Sequence, residues 1–191
     1  MSEYIMKDDL SKCLSVLQNG GLILYPTDTV WGIGCDATNS EAIEKIYALK
    51  GRKSSKALIT LVASDIMLER TVVDMPPIAW DLIDAATSPL TIIYDKVKGI
   101  SEMAIAEDGT CGIRLTDDPF CKQLIQRFGK SIISTSANQS GEPTPMTFSE
   151  IDKHILKGVD FVVNFRQNEH NKKTASNIIK LQNNGAIKII R

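Results

Sequence analysis

Histidine and cysteine are scarce in this chain: two and four among 191 residues. Cys13, Cys35, Cys111 and Cys121 form no C-x-x-C pair, and a chain of this length without a secretory signal needs no disulfide framework. With only His154 and His170 to join them, no zinc site is expected, and the thiols read as buried and neutral. The N-terminal MSEYIMKDDL carries acids and no apolar segment, so it does not read as a signal peptide. No apolar run approaches the roughly 20 residues that span a bilayer. The net charge is only −1 and aromatics make up 6%, which excludes a chain that binds nucleic acid with its whole surface. Internal repeats, low-complexity tracts and interdomain linkers are also missing. These absences point to a soluble protein of a reducing cytoplasm, and any polyanion site must be a local concentration of cations.

What is present fits one domain over residues 1–191. Hydrophobic residues make up 43% and charged residues 24%, ordinary globular values in a chain long enough to bury a core. Strand and helix patterns alternate. Residues 7–18 read as a helix stopped by Gly20-Gly21, and 22–25 as an apolar strand halted by Pro26. Thr38 and Glu41 form a capping-box pair opening the next helix. Strands are expected at 57–62, 90–94, 111–115 and 131–134, and helices at 76–86 and 119–128, the latter closed by Gly129. Thr147 and Glu150 repeat the capping-box signal. Late strands at 161–163, 177–181 and 186–190 follow one another without helices, so part of the sheet should be antiparallel. About eight strands and five helices give an α/β or α+β sheet with helices on its faces. The polar stretch 166–173 reads as a mobile loop.

The densest chemistry lies in residues 24–52. A strand runs into the hydroxyl-rich turn Thr27-Asp28-Thr29, then a glycine-rich loop, then a helix ending on cations. Lys50, Arg52, Lys53 and Lys56 stand within seven residues with no acid among them. A solvated helix end is the plain alternative, yet residues 52–56 lie past the helical stripe. Donor loops beside such a cluster suit a nucleoside triphosphate. Gly32-Ile33-Gly34-Cys35-Asp36-Ala37 fits G-x-G-x-x-A, but the preceding strand ends too early and the ribose-binding acid is missing, so a Rossmann site is disfavoured. Gly129-Lys130-Ser131 lacks the head of a P-loop and stands in the wrong element order. The run 134–141, STSANQSG, is a turn or a second wall of donors. Neither histidine has a serine–acid partner, so a hydrolase triad has no support. Chemistry without a nucleophile or base runs on alignment and charge neutralisation.

In combination, YPTDTVWGIGCDA, KGR at 50–52, GIR at 112–114 and STSANQSGEPT at 134–144 resemble the threonylcarbamoyl-AMP synthase family (TsaC/YrdC type), over about residues 10–191. The resemblance implies a twisted open mixed sheet with helices on its faces and a basic concave cavity. It implies a nucleotidyltransferase that joins L-threonine, bicarbonate or carbon dioxide and ATP into threonylcarbamoyl-AMP and pyrophosphate, for threonylcarbamoyladenosine modification of tRNA. ATP would enter as substrate with magnesium, with no metal site of the protein's own and no bound organic cofactor. Partners would include tRNA or double-stranded RNA and the downstream transfer machinery, and no membrane. Longer members carry a further C-terminal domain that this chain is too short to hold. Matched onto this sequence, Lys50 and Arg52 would be catalytic. Arg52, Lys56, Thr110, Ser136, Asn138, Thr144 and Arg191 would bind ATP, and Thr29, Arg114, Ser134 and Ser176 would bind threonine. Four departures concern the threonine end: Ser88-Pro89-Leu90-Thr91 for a Pro-Gly-Pro run, Thr116 for proline, the 176–180 segment, and Trp31 for tyrosine. The alternative is a paralogous YrdC-like protein that binds nucleotide or RNA without this activity.

Overall fold

In this computed structural model, residues 2–51, 58–170, 173–182 and 184–191 are described. Helix α1 (Ser2–Gln18) leads to β1 (Ile23–Tyr25) and β2 (Gly32–Asp36), then α2 (Ser40–Lys50) and β3 (Ile59–Val62). Two short helices, α3 (Asp65–Thr71) and α4 (Ile78–Asp84), precede β4 (Leu90–Tyr94) and β5 (Cys111–Leu115). Then come α5 (Pro119–Phe128), β6 (Ile132–Ser136), α6 (Lys153–Gly158), β7 (Phe161–Val162), β8 (Asn177–Leu181) and β9 (Ile187–Ile189). The strands form one open nine-stranded sheet, β7-β1-β2-β6-β3-β5-β4-β8-β9. It is mixed: β1/β7, β3/β5 and β4/β8 pair parallel and the other neighbours antiparallel. Antiparallel pairing therefore runs through the centre as well as the late β8/β9 edge, and β7 joins the far edge in parallel.

Where local signals are strong, element and sequence agree. The N-cap Asp118 of α5 accepts from the Phe120 and Cys121 amides, Pro119 opens the helix, and Gly129 closes it at φ 75°. Both capping boxes are displaced. Asn39 caps α2 by accepting from Ala42 N at 3.0 Å, while Thr38 turns back to Asp36. Asp152 caps α6, and Glu150 accepts from the Met146 amide. At α2 the adjacent Asx side chain, a stronger cap, takes the helix start; Thr147 instead heads a separate 3₁₀ turn over Phe148–Glu150 without a side-chain bond, and α6 starts afresh behind Asp152. Helix α3 had no expected counterpart; Ser64 caps its seven residues by accepting from the Met67 amide.

The largest departure is β2. Gly32–Asp36 is a strand buried at all five positions, where the sequence reads as a loop. A strand covered on both faces shows no alternation, and the glycines have a packing reason. A Cβ on Gly34 would stand 2.7 Å from the Tyr25 ring and 2.9 Å from Ile133 O. Glycine here lets a fully buried tyrosine lie against the neighbouring strand. The main core packs α1, α2 and α5 around β1, β2, β3 and β6; a second cluster joins β4, β5 and β8 to α3 and α4. Among the described residues no helix is long and apolar enough to cross a membrane.

Candidate functional site

Register alone assembles the site. Ser134 pairs with Ile59, Ile59 with Gly112, and Gly112 with Ile93, so these positions share one sheet face. Two residues along each strand, the same face carries Gly32 and Ser136 on one side, and Arg114, Thr91 and Ile178 on the other. Gly32 keeps this face hollow beside Ser134: a Cβ there would stand 2.9 Å from the Ser134 hydroxyl oxygen. A cleft of about 240 Å³ occupies this hollow, lined by Thr29 to Gly32, Leu58, Ile59, Arg114, Ser134 to Ser136, Thr144, Ala175, Ser176, Ile178 and Arg191.

The Pro26–Val30 turn forms one rim and is held from several directions. Thr27 Oγ1 donates to Val30 O at 2.7 Å and accepts from the Thr29 amide at 3.0 Å. Thr27 O accepts from Arg166 Nη2 at 3.3 Å and Lys173 Nζ at 3.1 Å. Arg166 also pairs with the buried carboxylate of Asp118 at 2.6 Å, although its φ of 70° is unusual for a non-glycine residue. The ends of the polar stretch thus pin the turn instead of hanging free; residues 171 and 172 lie outside the described set.

Arg114 rises from β5 into the cleft and is 3% exposed. Its Nη2 lies 3.2 Å from Asp28 Oδ1, and its Nε has no hydrogen-bond partner among the described residues. Burial pushes the Asp28 carboxyl above its ordinary range, and the Arg114 guanidinium offsets that only in part. Thr116 donates weakly to Asp28 Oδ2 at 3.4 Å. A cation held by one strained counter-ion, with an unused donor, is ready for a second carboxylate. Opposite it, Ser176 shares a 2.8 Å hydroxyl pair with buried Thr91, and its carbonyl accepts from Arg191 Nε and Nη2. Trp31 lines the cleft and packs on Phe148 at 4.8 Å between centroids.

Of the residues singled out from sequence, Thr29, Arg114, Ser134 and Ser176 meet in this cleft, together with Ser136, Thr144 and Arg191. Asn138 lies outside it, on an adjoining groove of about 370 Å³ that shares Thr144. Its amide nitrogen donates to Gln139 O and Glu142 O, while its Oδ1 has no partner among the described residues. Thr110 is also off the cleft: its hydroxyl donates to Asp108 Oδ1 at 2.6 Å and, with Lys180, draws that carboxyl down to about 2. Lys50 is buried beneath the Ser136–Asn138 wall, donating to Ser136 O and, at 2.6 Å, to Asn138 O. The Ser140 amide returns a bond to Lys50 O at 2.8 Å. The end of α2 and the STSAN run are therefore direct neighbours. Arg52 and Lys56 lie outside the described residues. Among the described residues no cluster of histidine, cysteine and acids could hold a metal ion, and all four cysteines are buried thiols.

Sequence reasoning missed Asp28 as counter-ion to Arg114, Thr91 behind Ser176, and Arg166 and Lys173 as clamps. Each is a pairing across a long sequence separation, and no local pattern carries it.

The family model Sua5_yciO_yrdC, described as telomere recombination, matches residues 15–191. A protein of Saccharophagus degradans named threonylcarbamoyl-AMP synthase is 34% identical over 158 residues, covering 82% of this chain and 83% of its own length. A doubly substituted P. abyssi Sua5 superposes with a TM-score of 0.86 at 23% identity, covering 100% of this chain and 56% of that one. A P. abyssi Sua5 complexed with L-threonine gives a TM-score of 0.79 at 24% identity, covering 95% of this chain and 52% of that one. At these identities the likeness to the two structures is one of fold. The chain spans about half the length of that Sua5.

Proposed function

The chain belongs to the Sua5/YciO/YrdC family, and from that premise we propose that it is a threonylcarbamoyl-AMP synthase, a nucleotidyltransferase joining L-threonine, bicarbonate-derived carbon dioxide and ATP with release of pyrophosphate. The observation that carries the reading is the convergence of Arg114, Thr29, Ser134 and Ser176 in one cleft beside the Ser136–Asn138 wall. The cleft's volume suits an amino acid better than a whole nucleotide.

Arg114 would take the threonine carboxylate with its unpaired Nε–H and an Nη, and the hydroxyls of Thr29, Ser134 and Ser176 would hold the rest. Threonine's amine, unprotonated, adds to carbon dioxide and releases a proton to solvent, giving a carbamate. A carbamate oxygen then attacks the α-phosphorus of ATP in line with the departing pyrophosphate. Nucleophile and electrophile are both anionic, so the protein's task is alignment and charge compensation. Arg52, Lys56 and Arg191 would face the phosphates. Lys50 would supply its charge from beneath the wall, where it also fixes the two carbonyls. Ser136, Thr144, Thr110 and Asn138 complete the assignment to ATP. The Asn138 groove is lined by Glu142, Glu150 and Asp152 as well, which disfavours phosphate there and suits the uncharged nucleoside.

ATP would enter as its magnesium complex. The product would pass to a tRNA-modifying transfer machinery in the cytoplasm, with bicarbonate as carbon source. Pyrophosphate release that requires ATP, L-threonine and bicarbonate together tests this reading. Salt-sensitive RNA binding without such release would instead favour a binding module.

A further inference from the structure

Behind the cleft lies a buried donor that the reading above leaves without a task. Tyr25 is 0% exposed, and its Oη makes no hydrogen bond among the described residues. Most buried polar atoms are paired, so an exception at a site wall calls for a reason. Tyr25 pairs with Gly32 across β1/β2, on the face that forms the cleft, and its ring lies against Gly32 and Gly34. Ser134 pairs with Gly34 one strand further on, so the phenol reaches diagonally across β2 toward Ser134. The Ser134 hydroxyl is near enough to draw the phenol toward ionisation, against the stronger effect of burial, yet the two oxygens do not meet in a full hydrogen bond. Tyr25 is therefore an unsatisfied donor. Burial keeps the phenol protonated, so donating is what it can do.

We propose that Tyr25 is a positioning residue: with the amino acid bound, its O–H donates to Ser134 Oγ and so directs the Ser134 proton into the cleft, onto a substrate oxygen. A phenol is a stronger donor and weaker acceptor than an alcohol, which sets this direction. The inference rests on the cleft being a threonine site. Ser176 offers the contrast, since Thr91 already holds it at 2.8 Å without substrate.

The test is Tyr25→Phe, which keeps the ring against the glycines and removes only the hydroxyl. Steady-state pyrophosphate release should show KM for L-threonine raised about tenfold with KM for ATP within about twofold. The thermal midpoint should not fall, because the lost hydroxyl had no partner. In a Ser134→Ala background the same substitution should change KM for threonine less than about twofold, since the group it orients is gone. Kinetics equal to wild type, equal losses for both substrates, an undiminished effect in the Ser134→Ala background, or a variant that unfolds would each overturn the proposal. A wild-type protein without threonine-dependent release would overturn the reading of the cleft itself, and this inference with it.

Discussion

Replacing Arg114 with alanine separates two contributions that meet in one side chain. Its guanidinium lies 3.2 Å from Asp28, with side-chain exposures of 4% and 17%. At that separation the gross attraction is about 5 kcal/mol at an effective dielectric of about 20. Breaking a buried pair by removing one partner costs about 3–5 kcal/mol, and water reaching the open edge of Asp28 brings the expected loss to about 2–4 kcal/mol. The sign of the pH dependence follows from Asp28. Burial already raises its folded pKa above 3.8, so its charge burdens the fold at neutral pH, and protonation relieves the burden as pH falls through the raised value toward 3.8. Without Arg114 that folded pKa rises further. Urea denaturation should therefore show a loss that is largest at pH 7.5 and smaller at pH 5. Asp28→Asn in the same chain should recover most of the stability, since an amide carries no charge. Threonine affinity should stay about 30- to 1000-fold down in both variants, because the carboxylate clamp is gone. A stability loss independent of pH and untouched by Asp28→Asn would refute the coupling, and unchanged threonine binding would refute the clamp.

Thr91→Val, which removes the hydroxyl behind Ser176, should raise KM for threonine about fivefold and leave KM for ATP unchanged in steady-state assays. Gly34→Ala sets a Cβ against the Tyr25 ring and Ile133 O and should destabilise by about 1–3 kcal/mol in denaturant titrations, with no gain at low pH. Arg166→Met removes the partner of Asp118 Oδ2 and one of two donors to Thr27 O; threonine affinity should fall about tenfold by calorimetry, more than ATP affinity.

The parts of the fold that could be read from sequence are those specified locally. β4, β5, α5 and β8 coincide with their expected bounds because apolar runs, caps and stop glycines mark both ends of each. β2 could not be read so, because its glycines serve a tyrosine on another strand. The first capping box named the right turn and the wrong cap, since Asn39 competes more strongly than threonine; the second marked a 3₁₀ turn ahead of α6 and not the start of that helix. In the site, the resemblance brought Arg114, Ser134 and Ser176 forward from distant parts of the chain, and their meeting depends on a strand order no local pattern reveals. The resemblance set Lys50 beside the ATP phosphates and the carbamate; its ammonium donates to two carbonyls of the wall. The charge cluster was legible, but not the burial of Lys50 under the wall.

A crystal structure of the protein with L-threonine would show where the amino acid sits. Its carboxylate should lie on Arg114, within hydrogen-bond distance of Nε and an Nη, with the amine between Ser134 and Ser176. Threonine seated in the Asn138 groove, or not touching Arg114, would contradict this placement.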